Sequence, residues 1–219
     1  MLEAVIFDMD GVIIDSEPIH FEVDKCTLKH CDIDILDEEL NEYVGMTNPE
    51  MWSRLREKYN IILSVEELIK LQMELKLTIL DERDVVPIDG VTALLKELKD
   101  NNIKIALASS SPREFIMAVL KKFNIEEYFI KILSGEEVTK GKPAPDIFQE
   151  VSRMLEVKPE KCIVIEDSRN GVKAAKAADM KCIGFKNINS GNQDLSKADL
   201  MVDSLEEVNL AIIKGLFVD

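Results

Sequence analysis

Long hydrophobic runs are missing from this chain. No stretch approaches the ~20 consecutive apolar residues that a membrane-spanning helix needs, and no membrane is expected as a partner. Runs of lysine and arginine are also missing. The chain carries 27 Lys+Arg against 42 Asp+Glu, a formal net charge of −15, and that field repels nucleic acid and anionic lipid. It equally opposes an anionic substrate, so any phosphate site needs its own metal or lysine. The cysteines Cys26, Cys31, Cys162 and Cys182 show no CxxC spacing, which leaves reduced packing residues as the expectation rather than a metal cluster. There is no internal repeat, no low-complexity tract, and no cationic leader with an apolar core ahead of the first strand-like run; a cytoplasmic location is expected. What is present is ordinary: 219 residues, 46% hydrophobic and 32% charged, room for one domain plus a modest insertion, with disorder excluded as the main state.

Ala4-Val5-Ile6-Phe7 reads as a fully buried strand ending at Asp8-Met9-Asp10-Gly11. From 17 to 83 the pattern is helical only, with Leu68, Leu71, Leu75 and Ile79 on one face. After Pro87 strands and helices alternate. Strands are predicted over 103–108, 130–133, 161–165, 181–184 and 200–202. Helices are predicted around Val91–Leu98 and Phe115–Phe123, and over 144–155, 170–178 and 205–213. Alternation with helices of this length implies a parallel sheet covered on both faces. The expected architecture is α/β: a Rossmann-like, doubly wound parallel sheet from residues 1–14 and 85–219, with a helical cap domain inserted at 15–84.

In open parallel sheets ligands bind beyond the carboxyl ends of the strands. Those ends carry Asp8 and Asp10, Ser109, Lys142 after a loop, and Glu166-Asp167. One carboxylate of Asp8-Met9-Asp10 suits a nucleophile and the other proton transfer. Ser109 offers a hydroxyl to a phosphoryl oxygen, with Ser111 expected to cap the following helix and leave Ser109 free. Lys142 is the cation the net charge requires, its backbone held extended by Pro143. Glu166 and Asp167 facing Asp8 make a hard-oxygen site of the kind Mg²⁺ prefers. Each feature alone is commonplace: solvated aspartates, a helix cap, a surface lysine, an acidic helix start. Their occurrence in order on successive βα units points to phosphoryl chemistry.

Asp8 through Glu17, then Ser109, Lys142 and Glu166-Asp167, resemble the four motifs of the haloacid dehalogenase superfamily, and the block after the first motif resembles its helical cap. Within it the chain is most similar to the β-phosphoglucomutase and sugar-phosphatase group, over essentially its whole length. The resemblance implies Asp8 as the transiently phosphorylated nucleophile, Asp10 as general acid/base, and Ser109 and Lys142 as phosphate-positioning groups. It implies Mg²⁺ held by Asp8, the backbone carbonyl of Asp10 and Asp167, with Glu166 beside them. His20 resembles the histidine that couples cap closure to the acid/base, and Gly45, Thr47 and Ser110 are further substrate-side candidates. The chain departs from the mutases in two places. Asn48 and Pro49 follow Val44-Gly45-Met46-Thr47 where mutases carry an arginine, and Ser109-Ser110-Ser111-Pro112-Arg113 lacks their lysine. Arg54, Arg56, Lys70, Lys76 and Arg113 are the cations that remain to bind a second phosphate. The expectation is a monomeric Mg²⁺-dependent phosphatase of a small phosphorylated metabolite, with β-phosphoglucomutase as the alternative and a non-catalytic binding module as the alternative of another class.

Overall fold

Six short apolar runs pair into one parallel sheet, as strands buried on both faces should. The structure, a computed structural model, describes residues 1–43 and 46–218. The strands are β1 (Ala4–Phe7), β2 (Lys104–Ser109), β3 (Lys131–Ser134), β4 (Cys162–Glu166), β5 (Lys181–Phe185) and β6 (Leu200–Val202). Their order across the sheet is β3-β2-β1-β4-β5-β6. β1 is therefore central. Val5 pairs with Ile105 on one side and Ile163 on the other. Strand order reverses at β1, which is where a doubly wound sheet opens a crevice.

The helices are α1 (Glu17–His30), α2 (Asp37–Leu40), α3 (Asn48–Tyr59), α4 (Val65–Glu82), α5 (Val91–Asp100), α6 (Arg113–Lys122), α7 (Asp146–Leu155), α8 (Arg169–Ala177) and α9 (Leu210–Gly215). Alternate strand residues point to opposite faces. Ala4, Ile6, Ala106 and Val164 meet Phe148 and Val151 of α7 and Val172 and Ala175 of α8 in one buried cluster. On the opposite face α5 lies on β2 and against α9, burying Val91, Leu94, Leu95 and Leu98. Each large side chain so buried contributes about 1.5–3 kcal/mol, offset by the entropy of ordering it.

The chain divides into two compact units, Met1–Glu17 with Val85–Asp219, and Pro18–Asp84. The second is all helical, with Trp52, Leu55, Leu28 and Leu68 in its own core. Its longest helix, α4, starts at a capping box: Ser64 Oγ accepts from Glu67 N–H at 3.2 Å, and Glu67 accepts from Ser64 N–H at 2.7 Å.

The predicted helix over 205–213 is a correction. The chain makes a 3₁₀ turn at Leu205–Glu207, then begins α9 separately. Two caps cause the break. Ser204 closes a capping box on the first turn, and Asn209 accepts from Ile212 N–H at 3.0 Å to start the second. The four cysteines are unpaired, and burial pushes the Cys162 thiol up to about 12, as suits packing residues.

Candidate active site

The carboxyl ends of β1, β2 and β4 and the loop after β3 converge on a single ammonium group. Asp8 follows β1, its N–H bonded to Ile165 O at 3.0 Å. Glu166 ends β4 and is completely buried. Lys142 Nζ donates to Asp8 Oδ1 at 2.7 Å, Glu166 Oε1 at 2.7 Å and Ala108 O at 3.2 Å. Those three acceptors match the three donors of an ammonium. The charge also sits 5.0 Å over the Phe148 ring. Buried ion pairs of this kind persist only when well satisfied by hydrogen bonds, and these contacts fill all three ammonium donors.

Glu166 Oε2 accepts from Ser168 N at 2.7 Å and Ser168 Oγ at 2.9 Å, so that carboxylate is spent on Lys142 and the start of α8. Oxygens of Asp8, Glu166 and Asp167, all buried, lie within 4.8 Å of one another. With Glu166 so engaged, Asp8 and Asp167 are the hard-oxygen donors left for a cation, and they fit Mg²⁺. Asp10 is arranged differently. Its Oδ1 accepts from Ser16 Oγ at 2.7 Å, and its Oδ2 from Ser111 Oγ at 2.7 Å and Ser109 Oγ at 3.2 Å. The two aspartates thus sit in unlike surroundings, one among carboxylates and an ammonium, the other among hydroxyls.

The cap role predicted for Ser111 is a correction. Its hydroxyl is drawn to Asp10, and α6 starts at Arg113 with Pro112 as its uncapped preceding residue. Ser109 is not free either: it bonds Asp10 and accepts from Ser111 N–H at 3.0 Å. Of the remaining candidates, Ser110 is exposed and precedes α6, His20 lies on α1, and Thr47 is the exposed residue before α3. Gly45 lies outside the described residues. Sequence reasoning missed Ser111 and Ser16 as partners of Asp10, and Phe148 beneath Lys142.

Three carboxyls face one ammonium, and the titration behaviour follows. Burial pushes Asp8 up, Lys142 pulls it down, and Glu166, Asp167 and Asp10 push it up again, for a net rise. Burial and the Glu166 charge raise Asp167 to about 7, against the opposing bond from Ser190. Burial alone would lower Lys142, but Asp8 and Glu166 more than offset it and hold it above the usual lysine range. A raised acid binds more protons folded than unfolded, so stability falls as pH rises between the unfolded and folded values. The metal-free protein is expected to lose melting temperature from about pH 4 to about pH 7. Added Mg²⁺ should stabilise it more at pH 8 than at pH 5, and calorimetry in EDTA and in MgCl₂ measures both.

Two glycines make room for these groups. Gly11, at φ +75°, lies where a Cβ would come 2.0 Å from Asp167 Oδ2. At Gly171, in α8, a Cβ would fall 1.5 Å from Glu166 Oε1. Gly171→Ala is expected to cost about 1–3 kcal/mol or more by urea titration, because buried Glu166 cannot retreat without abandoning Lys142. An unchanged midpoint would show that Glu166 has another place to go.

A buried lysine–carboxylate cluster at the switch point of this sheet, with a helical insertion after the first strand, defines a class. The chain matches the family model for haloacid dehalogenase-like hydrolases over residues 5–185, and it belongs to that family of enzymes. A phosphorylated carbohydrates phosphatase of Thermotoga maritima is 33% identical over 216 residues, covering 94% of this chain and 100% of that one. A β-phosphoglucomutase of Bacillus subtilis is 34% identical over 221 residues, covering 97% and 94%. Among solved structures, CbbY from Rhodobacter sphaeroides in complex with phosphate superposes with a TM-score of 0.88 at 27% identity, each chain covered fully.

Proposed function

We propose that this enzyme is a Mg²⁺-dependent phosphatase acting on a small phosphorylated metabolite, with a sugar phosphate as the substrate class, through a phospho-aspartate at Asp8. The observation that carries the reading is the Lys142 ammonium bonded at 2.7 Å to both Asp8 and Glu166 in a buried pocket of carboxylates. Asp8 and Asp167 would hold the metal directly with the backbone carbonyl of Asp10, while Glu166 orients Lys142. When bound, Mg²⁺ supplies positive charge against the transferred phosphoryl oxygens.

The Asp8 carboxylate attacks phosphorus in line, forming a P–O bond as the ester P–O bond breaks. Asp10 gives its proton to the leaving oxygen, then takes one from the water that cleaves the acyl phosphate, releasing inorganic phosphate and restoring Asp8. Lys142 and Ser109 position the phosphoryl group. The Asp10 cycle needs a group that can hold and release a proton beside a charged nucleophile, and the hydroxyls of Ser16, Ser109 and Ser111 keep it oriented for that.

Hydrolysis is favoured over mutase action by the chemistry of the helical unit. Asn48 stands where a mutase carries arginine, and its Nδ2 donates to Gln72 Oε1 at 2.8 Å, while Gln72 Nε2 donates to Asp24 Oδ1 at 2.5 Å. That chain is neutral at one end and acidic at the other. Arg54 is paired with Glu50, Arg56 with Leu63 O, Lys70 with Glu74 and Arg113 with Glu137, all at exposed positions, whereas Lys76 is buried on α4 one turn after Gln72 and is the cation on which the mutase reading would rest. The second reading, a β-phosphoglucomutase, is favoured by the 34% identity to the Bacillus enzyme of that name.

One reaction decides between them: purified protein, Mg²⁺ and β-glucose 1-phosphate, primed with a trace of glucose 1,6-bisphosphate, with free phosphate and glucose 6-phosphate followed together. Phosphate release without isomerisation is expected, there or across a panel of sugar phosphates. Rapid glucose 6-phosphate formation with little free phosphate would establish the mutase instead.

A further inference from the structure

The connection between β5 and β6 is polar, carries no catalytic motif, and is tied to three separate parts of the site. Its base is fixed by Lys186 N–H to Val202 O at 2.9 Å. Asn187 then reaches the turn after β1, donating from Nδ2 to Gly11 O at 3.0 Å. Asn189 Nδ2 donates to Asp15 Oδ2 at 2.5 Å, further along the same turn. Gln193 Oε1 accepts from Arg169 N–H at 3.0 Å, at the first residue of α8. Within the loop, Asn187 O accepts from Ser190 N–H at 3.2 Å and Ser190 O from Gln193 Nε2 at 2.9 Å. Ser190 is thus held at both its amide and its carbonyl. From that fixed backbone its hydroxyl donates to Asp167 Oδ2.

We propose that Ser190 is a positioning residue for the metal ligand Asp167, and that the Asn187–Gln193 loop is a strap whose task is to hold that hydroxyl in place. The proposal rests on the reading that Asp8 and Asp167 hold Mg²⁺. An aspartate ligand whose χ1 is set by packing keeps one freedom, rotation of the carboxylate about χ2. A donor on one oxygen removes it, and outer partners of this kind set metal affinity without touching the metal.

On the side of the turn after β1 the packing is tight. A Cβ at Gly11 would come 2.0 Å from Asp167 Oδ2 and 2.8 Å from Ser190 Oγ, so the turn after β1 closes directly over the pair. Asn187 holds that same turn through Gly11 O. One short loop therefore fixes the backbone beside the nucleophile and the side chain of the opposing carboxylate, and so sets the distance between two ligands from different strands. Neither apolar periodicity nor motif spacing marks it, because every residue in it that matters is an amide or a hydroxyl.

The test is the affinity for Mg²⁺ alone, measured by isothermal titration calorimetry on the full chain, with melting in EDTA alongside. Ser190→Ala is expected to raise the Kd about 10- to 100-fold. Its metal-free melting temperature should stay within about 2 °C of wild type, the usual range for a partly exposed site. Ser190→Thr, which keeps the hydroxyl, should restore the affinity. An unchanged Kd in Ser190→Ala would overturn the proposal. So would a weaker Kd accompanied by a larger loss of metal-free stability, or a threonine variant as weak as the alanine one, since either outcome makes Ser190 a packing residue. Failure of the wild-type protein to bind Mg²⁺ would instead sink the metal reading, and the wild-type titration shows that separately.

Discussion

Asp8→Asn is expected to reduce phosphate release by at least about 10⁴-fold, the scale of loss when a covalent nucleophile is removed. The amide has nearly the shape of the carboxylate and can still accept from Lys142 at the 2.7 Å position of Oδ1. What it lacks is the negative charge and the second carboxylate oxygen that make aspartate a nucleophile towards phosphorus. The loss should therefore appear in kcat, with the fold retained. Asp8 is one of three buried carboxyls facing a single ammonium, so neutralising it relieves repulsion, and the metal-free melting temperature should not fall. Activity within tenfold of wild type would remove Asp8 from the chemistry. Lost activity with a collapsed melting temperature would mean that Asp8 holds the site together rather than reacting in it.

Lys142→Met should be the most damaging substitution for the fold. Methionine fills a similar volume beside Phe148 but removes the cation from among Asp8, Glu166 and Asp167. Breaking a buried pair by deleting one partner typically costs about 3–5 kcal/mol, because the remaining charge is left uncompensated. Near neutral pH the urea midpoint should shift by that much. The deficit should shrink toward pH 5, where the raised carboxyls take up protons and no longer need the lysine. Turnover should fall with it, since in the proposed mechanism the same ammonium positions the phosphoryl group. A midpoint equal to wild type at pH 7.5 would show that the carboxyls are already protonated there and that the buried ion pair contributes nothing.

The parts of this molecule that could be read from sequence share one property: their structure is set by neighbours in the chain or by burial alone. β1, β4 and β5 lie in the sheet interior, so Ala4–Phe7 and the apolar runs at Cys162 and Cys182 stand out as continuous hydrophobic segments. The groups at the strand ends were legible for the same reason, since locating a strand locates the residue after it. The boundary residues were less so. Ser109 was read as lying past β2, yet it pairs with Ser134 of β3 as the last rung of the ladder. The 205–213 segment has helical apolar spacing, but spacing does not reveal that Ser204 and Asn209 cap two separate turns.

Hydroxyl partners were the least legible of all. Ser111 has the spacing of a helix cap and is pulled away by Asp10, about a hundred residues distant in the chain. Ser190 reaches Asp167 only because of the path its loop takes. A serine has no periodicity to betray its partner, and its bond depends on backbone placed by the rest of the fold.

The central position of β1 also carries a cost during synthesis. β1 leaves the ribosome well before its two partners, β2 and β4, which begin at Lys104 and Cys162. At about 5–20 residues per second, Val5, Ile6 and Phe7 wait on the order of 10–30 s for the strand that completes their pairing. Through that interval the inserted helical unit, whose core is its own, can fold ahead of the sheet that surrounds its insertion point in sequence. An unfinished chain that ends before β4 therefore holds Asp8 but neither Glu166 nor Asp167. The carboxylate cluster is assembled late, once β4 has closed the middle of the sheet.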